Sequence, residues 1–378
     1  MDTLNTQLRT RITEITDIHH NRFERLKAQG RPKIGWVSIY TPEEILYAAG
    51  LIPYRIFGET CTKTTKASAY MHRNICPYVL SCLEEVLAGK HDFADGAVIA
   101  NVCDARRRLF DVWKYFRSND FVHMLDLPKE IDATTKAYFI TEMQHLMAVL
   151  EERFDVKITD QALRHAVSVY NQSRELLQRL YDLRNDIHPP IAGEDHMFMV
   201  KAAMTGPREI FNEKMTQLLE DLPRHARKQP VATPRIMICG SYFDHPHIIR
   251  VIEEMGGLVA CEDTSNGVKY FEGSVDEDKE PLAALADYYL DKATCAALFD
   301  SGKRFDHMMA LIRQYKVDAV IYVSLKFCDN NLIDFHYQQK RLAEKKIPVL
   351  FLETERMASN MGQIRTRIQA FLEAVMLW

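Results

Sequence analysis

The sequence has 378 residues, more than one hydrophobic core usually organises, so two or three domains are expected. Apolar residues make up 47% and charged residues 26% of the chain, as in ordinary water-soluble globular proteins. The net charge of -4 gives no reason to expect nucleic acid or an acidic membrane as the main partner.

No stretch approaches the roughly 18 uninterrupted apolar residues that a membrane span needs. The N-terminus "MDTLNTQLRTRITEITD" lacks the short apolar core of a secretion signal. These two features predict a cytoplasmic protein that does not enter a membrane.

Residues 1–30 carry apolar side chains at helical spacing and end at the breaker Gly30-Arg31-Pro32, which predicts an N-terminal helix. The next run, "IGWVSIY", predicts a strand. It is followed by "TPEEILYAAG", in which Thr41 can cap a helix, Pro42 takes its first position, Glu44 completes a capping box and Gly50 ends it.

The same strand-to-helix order recurs between residues 96 and 116. The apolar run "GAVIA" predicts a strand, "NVCDA" a polar turn and "RRRLFDVWKYF" an amphipathic helix. Repeated strand, turn and helix units predict a parallel sheet with right-handed crossovers.

Strand signals nearly vanish between residues 134 and 227, where long helical periodicity is broken at Pro189-Pro190. The polar stretch "RKQPVATP" then predicts a linker. Strand and helix patterns resume after it, in the order "PRIMICG", "HPHIIRVIEEMGG", "LVACED", "VDAVIYVSLKFCDN", "NLIDFHYQQKRLAE", "IPVLFLETE" and "IRTRIQAFLEAVM".

The predicted fold class is therefore α/β, with two Rossmann/flavodoxin-like parallel-sheet domains and a helical segment between them. The expected limits are 1–30 for the N-terminal helix, 31–133 for the first α/β domain, 134–227 for the helical region and 228–378 for the second α/β domain. The two α/β halves could be distant structural copies.

Eight cysteines occur, and in a reducing compartment they are not expected to form disulfides. None forms a C-x-x-C pair, which argues against a zinc ribbon or a thioredoxin-like site. Any metal site must be assembled from distant parts of the chain. The cysteines are Cys61, Cys76, Cys82, Cys103, Cys239, Cys261, Cys295 and Cys328.

Cys103 and Cys328 each follow a predicted strand and precede an aspartate, so both belong where ligands collect in parallel sheets. Cys76 and Cys82 are six residues apart, about 240° around a helix, so only one of them is expected to join a shared site. Small buried core residues are the preferred interpretation of Cys239, Cys261 and Cys295. The residues alone leave open whether the other thiols hold a metal, and whether iron–sulfur or zinc.

Five sequence blocks, in the same order, resemble the 2-hydroxyacyl-CoA dehydratase and benzoyl-CoA reductase family, which includes double-cubane cluster proteins. The blocks are "YTPEEILYAAGLIPYRIFGE", "NICPYVLSCLEE", "VCDARRRLFDVW", "KFCDNN" and "GQIRTRIQAFLE". The resemblance implies a [4Fe-4S] cluster with Cys76, Cys103 and Cys328 as ligands. With three protein thiolates, one iron keeps an open position for chemistry.

The resemblance also implies partners and a reaction typical of anaerobic metabolism. An ATP-dependent iron–sulfur activator or a ferredoxin supplies a low-potential electron to a heterodimer of two related subunits. An acyl-CoA thioester is then dehydrated through a ketyl radical, or an aromatic ring is reduced. The stretch "RRLFDVW" resembles the aryl-CoA reductase side more closely, and the chain has no G-x-x-x-x-G-K-[ST] loop of its own.

Some other side chains near these blocks are also candidates for a role in the site. Ser38 ends the first strand and is predicted to contact the thioester, whereas Asp104 is predicted to fix its loop by bonding backbone amides. The run Arg106-Arg107-Arg108 could meet CoA phosphates or form a solvated helix face, and His72 could donate a proton. Glu43 and Glu44 are expected to be helix-cap residues without a catalytic role.

Two alternatives remain at the level of the sequence. The first is a double-cubane reductase, a homodimer that acts on small molecules without CoA. The second is a zinc-stabilised, non-catalytic scaffold in which Cys82 supplies the fourth ligand.

Overall fold

A computed structural model describes residues 2–118, 120–186, 189–222, 233–240, 242–292, 295–355 and 361–377, with only the backbone of residues 2–5. Within these residues, eight strands form two sheets of four strands each. All neighbouring strands are parallel.

The two sheets have the same topology. The first has the spatial order β2-β1-β3-β4, where β1 is Lys33–Val37, β2 Ile52–Arg55, β3 Gly96–Ala100 and β4 Phe121–Leu125. The second has the order β6-β5-β7-β8, where β5 is Arg235–Gly240, β6 Leu258–Asp263, β7 Ala319–Leu325 and β8 Val349–Thr354. The predicted fold class is confirmed.

Both sheets are covered by helices on their two faces, which is why the central strands β3 and β7 are buried at every residue. The helices are α1 Asp2–His20, α2 Arg22–Lys27, α3 Glu43–Ala48, α4 Pro77–Leu87, α5 Asp104–Phe116, α6 Ala133–Phe154, α7 Asp160–Asp182, α8 Gly193–Ala203, α9 Arg208–Asp221, α10 Pro246–Glu254, α11 Val268–Phe271, α12 Pro281–Asp291, α13 Ser301–Gln314, α14 Asp329–Glu344 and α15 Met361–Met376. Short 3-10 turns lie at Ala67–Ala69 and Leu183–Asn185. None of the described helices combines the length and the hydropathy of a membrane span.

The predicted helical region corresponds to α6, α7, α8 and α9, which lie between the two sheets along the chain. Helix α7 packs on α3 and α9, while α1 packs on α8 and α9. The N-terminal segment forms two helices that meet at Asn21 rather than one continuous helix. Most of the predicted linker, residues 227–232 of 227–234, lies outside the described residues, and the domain limits stay a prediction.

The predicted capping box at the start of α3 is wrong. The helix begins at Glu43 after Pro42, without a side-chain cap, and the hydroxyl of Thr41 has no hydrogen-bond partner among the described residues. The reason is that α3 lies beneath the helical region, so its glutamates face buried arginines instead. Arg208 donates to Glu43 at 2.8 Å, and Arg174 donates to the buried carboxylate of Glu44.

The segment that follows β6 returns to the first sheet. Leu285, Leu290 and Leu298 belong to the same core as Ile34 and Val98. Helix α12 packs on α6 and α7. The chain therefore crosses from one sheet to the other between β6 and β7, and this crossing brings the residues after α12 to the edge of the first sheet.

Candidate functional site

A cavity of about 680 Å³ lies where the carboxyl ends of the two sheets face each other. Cys76, Cys103 and Cys328 all line it, and each is half-buried. Three thiols that are far apart in the sequence are thus brought together, at the place where parallel sheets collect ligands.

The two halves contribute to the cavity in equivalent ways. Cys103 comes three positions after Ala100, the last residue of β3, and Cys328 comes three positions after Leu325, the last residue of β7. These strands occupy the same place in the two sheet orders. The repeated topology therefore places one thiol from each half at the shared edge.

All three cysteines occupy the position immediately before a helix. Cys76 precedes α4, Cys103 precedes α5 and Cys328 precedes α14. In α4 the next residue is Pro77, whose fixed φ suits the first helical position. The unpaired amides and positive end of a helix stabilise a thiolate, so three helices favour negative charge in this cavity.

The turn before Cys328 has a left-handed residue. Phe327 has a φ of 58°, and the amide of Cys328 donates to the carbonyl of Leu325 at 3.2 Å. A left-handed conformation of a bulky residue costs on the order of 1–3 kcal/mol. The chain therefore reverses sharply after β7, and this turn places the thiol at the cavity.

Cationic side chains lie beside the thiols. Burial lowers the pKa of Arg106, but its interactions with Cys103, Tyr78, Cys295 and Cys76 outweigh burial and leave the pKa raised. Arg106 lines the cavity itself. Its positive charge stabilises anionic sulfur there.

Lys129 holds the backbone that leads to Cys103. Its ammonium donates to the carbonyls of Asn101 and Val102 at 3.0 and 2.9 Å. Burial lowers the pKa of Lys129, while the neighbouring Cys103 acts in the opposite direction. Burial also raises the pKa of the Cys76 thiol, against the nearby amide of Val79.

The arginine run divides into different environments. Arg107 donates to the side chain of Asn101 at 3.1 Å, and Arg108 pairs with Asp104 and Asp111 on the surface. The prediction that Asp104 bonds backbone amides is therefore wrong, because its described hydrogen bonds come from Arg108, one helical turn later. Only Arg106 of the three has thiols as its neighbours in the described interactions.

His72 lines the cavity, whereas Ser38 is not among its lining residues. The amide of Asn74 donates to Nδ1 of His72 at 3.0 Å, so a neutral His72 ring carries its proton on Nε2. Ser38 is 1% exposed, and its hydroxyl accepts from the amide of Tyr40 at 3.4 Å. The catalytic role of Ser38 stays a prediction.

The remaining cysteines differ in position. Cys239 and Cys261 are buried in the core, as expected, and so is Cys82, whose thiol donates to the carbonyl of Ile56 at 3.8 Å. Cys295 was expected in the core but lines the cavity with the three predicted cysteines. The sequence did not mark it as a site residue, because "KATCAALFD" contains no strand pattern and the apolar run "CAALF" is typical of a core cysteine.

The chemistry of the donor set is compatible with an iron–sulfur cluster. Among the described residues, no group of three or more His, Cys, Asp or Glu side chains lies close enough to hold one metal ion. A cubane places each thiolate on a different iron, so its ligands stand further apart than those of one ion. Soft sulfur donors around a roomy cavity match such a cluster.

The fold and the cavity define a protein of two parallel-sheet halves with a cysteine-lined cleft between them. The chain belongs to the family described as "2-hydroxyglutaryl-CoA dehydratase, D-component", whose model matches residues 38–375. The resemblance found in the sequence blocks is therefore confirmed. Several proteins similar to this chain are named as subunits of acyl-CoA dehydratases or of an acyl-CoA reductase.

Individual relatives match over nearly the whole chain. The beta subunit of (R)-phenyllactyl-CoA dehydratase from Clostridium sporogenes is 25% identical over 354 residues, covering 93% of this chain and 94% of the relative. One of the subunits of benzoyl-CoA reductase from Thauera aromatica is 28% identical over 358 residues, covering 92% of each. The beta subunit of (R)-2-hydroxyglutaryl-CoA dehydratase from Acidaminococcus fermentans is 25% identical, covering 93% and 94%.

Proposed function

We propose that this chain is the iron–sulfur subunit of an enzyme that reduces or dehydrates an acyl-CoA thioester. Cys76, Cys103 and Cys328 would hold a [4Fe-4S] cluster in the cavity. The observation that carries the proposal is the convergence of these three thiols, each at the start of a helix, on one cavity between the sheets.

The positive charge around the cavity favours binding of an anionic group there. Three helix N-termini and the guanidinium of Arg106 supply positive charge beside the thiolates, which lowers the cost of holding negative charge in a half-buried site. When bound, the cluster would supply a one-electron redox centre.

The walls of the cavity suit the acyl part of a thioester. Met71, Ile75 and Val112 line it with apolar side chains, and the exposed aromatic residues Tyr70 and Phe327 also line it. These groups would bind the acyl chain and exclude water from the reacting carbon. His72 would hold a proton on Nε2 within the same cavity.

The zinc alternative receives less support from these contacts. As proposed from the sequence it uses Cys82 as the fourth ligand, but the Cys82 side chain is 0% exposed and its thiol faces the carbonyl of Ile56. A closed structural ion would need four donors around one point.

Partners are inferred from the names of the relatives. The phenyllactyl-CoA and 2-hydroxyglutaryl-CoA dehydratase relatives are beta subunits, and the benzoyl-CoA reductase relative is likewise named as one of that enzyme's subunits. We infer that this chain pairs with a second, related subunit. An ATP-dependent iron–sulfur activator or a ferredoxin would supply the electron, in the reducing cytoplasm where thiols stay available.

The first test is the cluster itself. The chain is purified without oxygen, iron and sulfide are counted, and visible absorbance is recorded for the wild type and for Cys76→Ser, Cys103→Ser and Cys328→Ser. Each variant should lose most of its iron. Cys61→Ser is the matched control, because Cys61 is also half-buried but does not line the cavity. Wild-type protein without iron and sulfide would overturn the proposal.

The second test is the reaction. The chain is co-expressed anaerobically with candidate subunits and an activator, and the complex is assayed with a panel of 2-hydroxyacyl-CoA and aryl-CoA thioesters. Dehydration or ring reduction of any of them supports the proposal. An intact cluster that turns over no thioester in any pairing would favour the double-cubane reductase instead.

A further inference from the structure

Cys295 reaches the cavity from a different direction than the other three cysteines. It lies between α12 and α13, outside any helix or strand, whereas Cys76, Cys103 and Cys328 each start a helix. It is half-buried and lines the same cavity. Four thiols, contributed by four separate parts of the chain, therefore surround one space.

The backbone of Cys295 is held on the side of the first sheet. Its amide donates to the hydroxyl of Tyr40 at 2.8 Å. Tyr40 is completely buried just beyond β1, so this hydrogen bond ties the segment to the carboxyl edge of the first sheet. The carbonyl of Cys295 also accepts from the amide of Leu298 at 3.0 Å, which closes a turn.

The same residue is held on the side of the second sheet. Arg304 donates to the carbonyls of Cys295 and Leu298 at 3.3 and 2.8 Å. Its guanidinium is fixed in turn by Asp334, at 2.8 Å, on the helix that begins after Cys328. The loop is thus anchored to both halves, and the position of its thiol at the cavity is built into the fold.

Charge links Cys295 to the proposed ligands. The guanidinium of Arg106 interacts electrostatically with Cys76, Cys103 and Cys295. The ammonium of Lys129 interacts with Cys103 and Cys295. Cys295 therefore shares two cations, Arg106 and Lys129, with the proposed cluster ligands.

We infer that Cys295 is a fourth thiolate ligand, bound to the iron that Cys76, Cys103 and Cys328 leave open. This inference rests on the proposed function. On binding, the thiol releases one proton, its sulfur replaces a solvent molecule on that iron, and no electrons are gained or lost. A fourth thiolate would close the open coordination position, so a thioester held by the apolar walls of the cavity would lie beside the cluster rather than on one of its irons.

The test compares wild type, Cys295→Ala and Ala297→Ser, all purified without oxygen. Ala297 lines the same cavity in the same loop, so its substitution controls for disturbance of the loop. The reduced proteins are examined by electron paramagnetic resonance and Mössbauer spectroscopy, with and without cyanide as a small external ligand. We expect four similar irons and no response to cyanide in wild type and Ala297→Ser. Cys295→Ala should keep its iron but show one distinct iron site whose spectrum shifts with cyanide.

A distinct, cyanide-responsive iron in the wild type, identical to that of Cys295→Ala, would overturn the inference while leaving the proposed function intact. Wild-type protein without a cluster would overturn both. Alkylation with iodoacetamide gives a second measurement that needs no variant. Cys295 should resist alkylation in the iron-loaded protein and react once iron is removed; equal reaction in both states would also overturn the inference.

Discussion

The buried pair Arg304–Asp334 joins the Cys295 loop to the helix that follows Cys328, and its removal should destabilise the protein measurably. Both side chains are nearly buried, with exposed fractions of 6% and 5%, and their atoms approach to 2.8 Å. The substitution Arg304→Met keeps an unbranched side chain of similar length but removes every hydrogen bond of the guanidinium. It leaves Asp334 with a charge and without its cation.

The size of the effect follows from what Asp334 retains. Breaking a buried ion pair by removing one partner costs about 3–5 kcal/mol. Asp334 still accepts from Ser301 at 2.7 Å and from Gln338 at 3.2 Å, so we expect the lower end, about 3 kcal/mol. With a urea m value of about 3 kcal/mol/M or more for a chain of this length, the unfolding midpoint should fall by up to about 1 M.

Urea unfolding followed by far-UV circular dichroism measures this shift. Arg341→Met is the control, because Arg341 pairs with Glu344 on the surface at 3.7 Å and should change stability by less than about 1 kcal/mol. In the double variant Arg304→Met/Asp334→Leu no buried charge is left unpaired, so part of the stability should return. The reasoning is refuted if Arg304→Met shifts the midpoint no more than Arg341→Met, or if the double variant loses the sum of the two single effects.

Further outcomes are expected at sites outside the cavity walls. Burial lowers the pKa of His307, but Asp263 raises it, and the pKa in the folded protein is about 9 against an ordinary 6.5. Because the pKa is higher in the folded than in the unfolded protein, the stabilisation from protonated His307 is complete below about pH 6.5 and is lost as the pH rises through about 9. His307→Gln should therefore remove about 3 kcal/mol of pH-dependent stability, seen as a flatter curve of urea midpoint between pH 6 and 10, and an unchanged curve would contradict this. Gly240 has a φ of +145°, and the Cβ of Gly240→Ala would lie 2.1 Å from a carbonyl oxygen of β7. This substitution should lower the stability measured by thermal unfolding by about 2–4 kcal/mol. Gly362→Ala is the control, because its Cβ would meet no atom within 4 Å and should leave the stability unchanged. Cys82→Ala should retain wild-type iron content by chemical assay, since its thiol lies in the core; loss of iron would show that it takes part in the site.

Much of the site could be predicted from local patterns. An apolar run, a short polar turn and an amphipathic helix are properties of adjacent residues, so the strands before Cys103 and Cys328 and the helices after them were visible in the sequence. The carboxyl ends of parallel strands share an edge, which justified expecting these two thiols to lie close together. The position of Cys76 immediately before a helix follows equally from Pro77.

Other features depend on partners that are distant in the chain. Glu43 and Glu44 match a capping pattern, yet they pair with Arg208 and Arg174, which lie more than a hundred positions away. The residues next to these glutamates in the sequence do not indicate that arginines will be their partners. A local pattern states which conformations are favourable, but it does not state which side chain a buried carboxylate will meet.

The sequence by itself determined the two parallel sheets, the thiols that follow their central strands and the membership of the family, because these rest on short-range periodicity and on ordered blocks of residues. Only the tertiary structure decided that the segment after α12 crosses to the first sheet and brings Cys295 to the cavity. The physical reason is that this crossing is fixed by burial of Leu285, Leu290 and Leu298 in a core formed by the other half. Burial of this kind is a property of the packed chain, and a short stretch of sequence does not reveal it.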